Sequence, residues 1–274
     1  MPKPTQYADR LRGKVAIVTG AGAEGGGIGI GRAIACLFAR EGARACVVDV
    51  QLERAEQTVR MIEEEGGQAF ACAADVTSSA DCARIVAAAV ERYGAVDILV
   101  NNVGIAVGGE RVEDLDEARW DRVQEVNLKS AALMAKHALP HLVARGDGTI
   151  VNIASIAGMR AHGGGLAYSS SKAGLIALTA DLAVMYGRQG VRANAVAPGH
   201  LFTPIVAAFF DEQAKAERRG VSPLGVEGDA WDVAQAALFL AGPEARFITG
   251  VCLPVDGGVT AIAPLAAHAL LKSL

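Results

Sequence analysis

The 274-residue chain has no long basic block, no CxxC pair, no histidine cluster at metal-ligand spacing and no Pro/Ser-rich linker. Each absence closes off a class of function. The formal charge is −4, so nothing draws the chain to nucleic acid as a whole, and a polyanion partner is not expected. The cysteines are Cys36, Cys46, Cys72, Cys82 and Cys252. An odd, scattered set cannot close entirely into internal disulfides and reads as reduced packing thiols, with no metal site among them. Charges interrupt every hydrophobic run before the roughly 18 residues that a membrane span needs. The opening "MPKPTQYADRLRG" lacks the apolar core of a signal peptide, so a cytoplasmic location is expected. Without a composition break, residues 1–274 read as one domain around a single α/β core.

Glycine, by contrast, is abundant and concentrated. It fills seven of the twelve positions from Gly20 to Gly31 in "TGAGAEGGGIGIGRA". A glycine run alone is compatible with disorder, because glycine loses the most conformational freedom on folding. Its flanks argue for order: "KVAIVT" upstream is a β-branched apolar run, and "RAIACLFAREG" downstream has helical apolar spacing closed by Gly42. Strand, glycine loop and helix together make an anion site, where bare backbone N–H groups surround a phosphate.

Strand-like runs recur near 14–19, 44–49, 68–73, 96–101, 148–154, 191–196 and 250–255. Helical patterns lie between them near 30–41, 51–65, 78–93, 116–138, 166–187 and 229–241. Continuous apolar strands such as "ACVVDV" and "VDILVN" suit a sheet covered on both faces, so the expectation is a doubly wound, seven-stranded parallel sheet of Rossmann type. Ligands collect at the carboxyl ends of such strands.

Asp49 closes the second strand at the distance past the glycine loop where an acidic residue meets a ribose. Taken alone it fits a turn or helix-cap acid as well. Behind the loop, its carboxylate would accept from both ribose hydroxyls and repel a 2′-phosphate, so NAD is expected over NADP.

"AYSSSKAG" sets Tyr168 and Lys172 four apart on one face of a helix, and Ser155 follows the strand "TIVNIAS". A lysine ammonium near a phenol favours the phenolate, which would make Tyr168 a usable acid/base. Singly, Ser155 also fits a turn hydroxyl, Tyr168 a core ring, Lys172 a solvated helix charge and Asn127 a helix-bend residue.

The ordered set of motifs resembles the short-chain dehydrogenase/reductase family in its compact single-domain form. The resemblance runs from about Lys14 to Gly258. It rests on Thr19-Gly20 with Gly29-Ile30-Gly31, on Asp75-Val76 after the third strand, and on "NNVG" from Asn101 to Gly104. Asn127, Ser155, the Tyr168/Lys172 pair, "PGHLFT" from Pro198 to Thr203, and "VDGG" ending at Gly258 follow in order. The resemblance implies that Tyr168 exchanges a proton with the substrate oxygen while hydride moves to or from a nicotinamide. It implies that Ser155 hydrogen-bonds that oxygen, that Lys172 lowers the tyrosine pKa and holds the ribose, and that Asn127 anchors a water. Cofactor contacts are implied for Gly20, Gly29, Ile30, Gly31, Asp49, Asp75, Val76, Asn102, Gly104, Tyr168, Lys172, Pro198, Gly199 and Thr203. A homotetramer acting on a small alcohol or ketone is implied likewise.

The chain departs from the family at the loop, where eight residues separate Gly20 from Gly29. A rival register ending at Gly27 is rejected because Gly31 to Gly42 spans the family's usual first helix. Val103 replaces the usual alanine. The 203–225 stretch reads as an apolar lid and 261–274 as a tail that either covers a neighbouring subunit or frays. His162 and His200, and Arg160, Arg218 and Arg219, are open as either substrate-facing or solvated. The expected activity is NAD-dependent interconversion of a secondary alcohol and a ketone. The alternatives are a carbonyl or 3-oxoacyl reductase, and an NAD-sensing scaffold without turnover.

Overall fold

The computed structural model describes residues 9–23, 27–106, 111–161, 165–202 and 211–262. Apolar β-branched runs form β1 (Val15–Thr19), β2 (Arg44–Asp49), β3 (Gln68–Ala73), β4 (Ile98–Asn101) and β5 (Gly148–Ile153). They are followed by β6 (Val191–Pro198), two short strands β7 (Leu201–Phe202) and β8 (Gly228–Asp229), and β9 (Cys252–Val255). Between them run α1 (Ile30–Arg40), α2 (Leu52–Glu64), α3 (Ser79–Tyr93), α4 (Glu117–Gln124), α5 (Ser130–Arg145), α6 (Leu166–Tyr186), α7 (Glu212–Gly220) and α8 (Ala230–Ala241).

Seven strands make one sheet in the order β3-β2-β1-β4-β5-β6-β9, and each neighbouring pair is parallel. This is the expected Rossmann-type α/β domain. The winding reverses between β1 and β4, so the crevice for a ligand opens at their carboxyl ends. Alternation along each strand divides the interior into two cores. Ala16, Val18, Val47 and Val100 pack with α1 and α8, whereas Ile17, Cys46, Val48 and Leu99 pack with α3 and α5. Every strand side chain therefore has a covered face to enter, which is why these runs carry no polar alternation.

The helix expected at 116–138 is different in kind. It runs on to Arg145 and passes through a π-helical segment, Glu125–Lys129, between α4 and α5. Pro140 reads as a stop signal, yet the helix continues past it. Leu139 and Leu142 are buried in the core beneath α3, and Gly146 ends the helix in the left-handed region at φ 68°. Tertiary burial has overridden the local breaker. Of the lid stretch, the part from Asp211 onward forms α7, capped by the Asp211 side chain on the Ala214 N–H at 2.8 Å. Thr203 and His162, and the tail beyond Ile262, lie outside the described residues.

Candidate active site

The glycine loop is set by one close approach. Gly20 turns left-handed at φ +61°, and a Cβ on Gly31 would lie 2.2 Å from its carbonyl oxygen. Only a bare backbone lets α1 begin so near the end of β1. Asn102 seals the contact: its Nδ2 donates to the Thr19 carbonyl at 3.1 Å and the Gly20 carbonyl at 2.9 Å. The α1 N-cap is Gly29, with no side-chain cap and no acid in the first turn. The first N–H groups of the helix are thus left for an anion, and Gly29-Ile30-Gly31 is the register the structure adopts.

Asp49 stands at the end of β2 beside this loop. Its Oδ2 accepts the Gly22 N–H at 3.1 Å and its Oδ1 the Gln51 N–H at 3.0 Å. A Cβ on Gly22 would come within 2.5 Å of that Oδ2, so a second glycine is fixed by contact. Gly20, Asp49, Asp75, Val76, Val103 and Ile105 share the wall of a cleft of about 200 Å³. Asp75 folds back on its own turn, accepting from the Thr77 N–H at 2.9 Å and the Thr77 hydroxyl at 2.7 Å. These two bonds, the backbone one first, hold its carboxyl below the usual range. Bare backbone at the helix end, a cleft beside it and a carboxylate at its rim fit a dinucleotide.

At the next strand ends, Ser155 follows β5 and opens a short 3₁₀ turn, Ile156–Gly158. A Cβ on Gly158 would sit 2.6 Å from the Lys172 backbone carbon, so this turn lies directly on α6. The contact brings Ser155 beside Tyr168, where the serine hydroxyl favours the ionised phenol. One turn further along, Lys172 is 3% exposed and its Nζ donates to the Ile153 carbonyl at 2.8 Å. On the other side of the ammonium is Gly104, where a Cβ would lie 3.2 Å from Nζ. Asn127, 1% exposed, stands in the π segment. Its Oδ1 accepts the Ile105 N–H at 2.8 Å, while its Nδ2 donates to the Ile105 carbonyl at 2.9 Å and to Ser171 Oγ at 3.0 Å.

Other motif residues pack rather than line the cleft. Gly199 lies against Asp256, where a Cβ would come within 2.5 Å of the Asp256 Cβ, and its N–H reaches the Val255 carbonyl at 2.9 Å. Pro198 is paired with Val255 across β6 and β9. "PGHLFT" and "VDGG" are thus two halves of one contact. Beside them His200, Arg218, Asp232 and Asp256 border a second cleft of about 450 Å³. Arg218 is held there by Glu227 at 3.1 Å and by the Leu201 carbonyl at 3.1 Å. Sequence reasoning missed the Ile153 carbonyl and Ser171. The first carries no side-chain signal; the second was legible as the residue one turn past Tyr168.

A family model described as Enoyl-(Acyl carrier protein) reductase matches residues 25–260. The chain is 40% identical over 249 residues to cis-4-hydroxycyclohexanecarboxylate dehydrogenase of Sinomonas cyclohexanicum, covering 91% of this chain and 97% of that one. A crystal structure of a putative short-chain dehydrogenase/reductase from Burkholderia xenovorans superposes with TM-score 0.87 at 46% identity, over 93% of this chain and 99% of that one. A 7α-hydroxysteroid dehydrogenase complexed with NADH and 7-oxo glycochenodeoxycholic acid superposes with TM-score 0.85 at 35% identity, over 92% and 97%. The chain belongs to the short-chain dehydrogenase/reductase family.

In this dehydrogenase/reductase, burial governs the electrostatics of Tyr168 and Lys172. Burial raises the Tyr168 pKa, and the Ser155 hydroxyl only offsets part of that rise. Lys172 is turned to Ile153 and lies 5.8 Å from the centre of the Tyr168 ring. Burial lowers the lysine itself from 10.5 to about 8. Desolvation disfavours both charged forms, so the free pair tends to neutrality.

This has a measurable consequence. Between the folded and unfolded lysine pKa values, the unfolded chain keeps a proton that the folded chain has released, so stability rises with pH there. From about pH 8 to pH 10, the ligand-free protein should gain up to about 3 kcal/mol relative to Lys172→Met, read from urea unfolding at each pH. Parallel profiles for the two proteins would remove the buried ammonium from the account.

Proposed function

We propose that the protein interconverts a secondary alcohol on an aliphatic ring and the corresponding ketone, using NAD(H). The observation that carries this reading is the placement of Tyr168 beside Ser155 at the carboxyl end of β5, with Lys172 buried one turn along the same helix. Two relatives support the ring substrate: one is named for cis-4-hydroxycyclohexanecarboxylate, and the other is complexed with a 7-oxo steroid acid.

When bound, a nicotinamide dinucleotide supplies the hydride acceptor or donor. The chain supplies the rest. Gly20, Gly29, Ile30 and Gly31 offer backbone to its diphosphate, Asp49 its carboxylate to the ribose, and Asp75 and Val76 the wall by the adenine. Tyr168 passes the proton to or from the substrate oxygen, and Ser155 hydrogen-bonds that oxygen as charge develops on it. Lys172, buried one turn from the phenol, would hold the second ribose. Asn127 acts through Ile105, keeping the Gly104 backbone against Lys172. Pro198 and Gly199, packed on Val255 and Asp256, would brace the nicotinamide end from behind.

The family description favours a second reading, reduction of an acyl-carrier substrate. Asp49 weighs against it, since a carboxylate at the ribose rejects the 2′-phosphate of the usual biosynthetic reductant. We further infer a cytoplasmic homotetramer. Its support is the five free thiols and the exposure of large apolar side chains, Phe247 at 94%, Val184 at 84% and Met185 at 64%, which an interface would cover.

Three measurements test this reading. A panel of ring alcohols followed by NADH absorbance should show turnover that falls about 10²- to 10⁴-fold in Tyr168→Phe, with NADH affinity unchanged; full activity in that variant refutes the role of the phenol. Asp49→Ala should narrow the preference for NAD over NADP by about tenfold or more, roughly the worth of one charge-assisted bond. Unchanged selectivity would move the ribose contact elsewhere. Sedimentation equilibrium should return four times the chain mass of 28.2 kDa, and a monomer would leave the apolar surface without an occupant.

A further inference from the structure

Beneath the glycine loop lies a cation that no motif assigns. Arg32, the first residue after Gly31, is 1% exposed. Its Nε donates to Thr58 Oγ1 at 2.9 Å, and its guanidinium reaches the Gly27 carbonyl at 2.7 Å and Gln57 Oε1 at 3.2 Å. Longer contacts run to the Ala23 carbonyl at 3.5 Å and the Arg54 carbonyl at 3.4 Å. Every one of these acceptors is neutral. Among the described residues no carboxylate takes a hydrogen bond from Arg32, although Asp49 is near enough to favour its charge. A buried guanidinium is ordinarily paired with an anion, because desolvating a charge is costly.

The geometry also says what the arginine does to the loop. A peptide group is planar with its C=O and the following N–H directed oppositely. Holding the Gly27 carbonyl on the guanidinium therefore directs the Ile28 N–H away from Arg32. Thr58, which accepts from Arg32, in turn donates to the Ala21 carbonyl at 2.7 Å, and the Gly22 N–H that follows faces Asp49. One side chain thus orients both limbs of a loop that is longer than its family pattern.

We propose that Arg32 is a positioning residue for the dinucleotide diphosphate and its buried counter-charge, sitting under the loop that it braces through the Gly27 carbonyl and, by way of Thr58, the Ala21 carbonyl. The proposal rests on the reading of this loop as the dinucleotide site. A positive charge fixed behind a screen of backbone N–H groups adds to the field of the α1 N-terminus, and it acts through a poorly hydrated layer where charge is weakly screened. A bound diphosphate would add an anion to a guanidinium whose hydrogen-bond acceptors are all neutral.

The test separates charge from scaffolding. Arg32→Lys keeps the charge and loses most of the carbonyl bridges, whereas Arg32→Gln keeps hydrogen bonding and loses the charge. Affinities for ADP, for adenosine and for NADH are measured by calorimetry on the full-length protein, with kcat at saturating NAD in parallel. ADP and NADH should bind about tenfold or more weakly to Arg32→Gln and within about threefold of wild type to Arg32→Lys. Adenosine affinity and saturated kcat should hold in all three proteins. A merely structural role would lower the melting temperature and weaken adenosine and ADP alike. Equal ADP affinity in wild type and Arg32→Gln, or equal losses in the Lys and Gln variants, overturns the proposal. Should Arg32→Gln not fold, Arg32→Lys decides: retention within threefold supports the counter-charge, and a tenfold loss overturns it. A wild-type protein that binds neither ADP nor NADH removes the dinucleotide reading itself, an outcome distinct from normal binding by the variants.

Discussion

The arrangement of this molecule hangs on how closely α1 approaches the end of β1. With the Gly31 Cβ absent, the helix starts against the Gly20 carbonyl, and a methyl group there would lie 2.2 Å from that oxygen. Everything at the crevice follows from that proximity. Asn102 can bridge the last two carbonyls of the turn, so the loop after β4 is tied to the loop after β1. The open N-terminus of α1 then points over the switch between β1 and β4, where the sheet has a groove because the chain winds away in both directions. The parallel sheet supplies the place, and the glycine contact makes the place attractive to an anion.

The fold was legible because its signals are redundant. The seven sheet strands are short and largely apolar, most helices have a covered stripe, and the order of elements leaves few topologies. The motif residues were legible for a different reason: a glycine that a contact requires, or a serine, tyrosine and lysine at fixed spacing, survives as letters. What could not be read were contacts made by backbone. The carbonyl of Ile153 that receives Lys172 looks like any other strand residue. The π segment around Asn127 has no propensity signature, and the helix beyond Pro140 required knowing that Leu142 is buried. Arg32 was hidden in plain view, since an arginine on the first turn of a helix ordinarily reads as a solvated charge.

The free chain also shows why spacing alone misjudges electrostatics. Placing an ammonium and a phenol one turn apart implies mutual stabilisation of charge, yet burial acts on each separately and in opposite directions. It lowers the lysine to about 8 and raises the tyrosine. In a site closed to water, the desolvation cost of each ion exceeds an attraction acting across the 5.8 Å that separates the amine from the ring centre. The burden of solvating the ammonium therefore falls on the groups that enclose it.

That burden explains the tight enclosure of Lys172. Its Nζ has the Ile153 carbonyl at 2.8 Å on one side and the Gly104 backbone on the other, close enough that an added Cβ would stand 3.2 Å away. A side chain at residue 104 would crowd the ammonium, so the fourth letter of "NNVG" leaves room for the lysine. The Gly104 strand of backbone stays in place because Asn127 grips both polar groups of Ile105, and Asn127 can do so because the helix carrying it widens to a π turn at that point. Asn127 thereby spends its amide on positioning. Its location at a bulge in a long helix, the register of the loop after β4 and the dry setting of the lysine are one structural decision, made by residues that stand far apart in the chain.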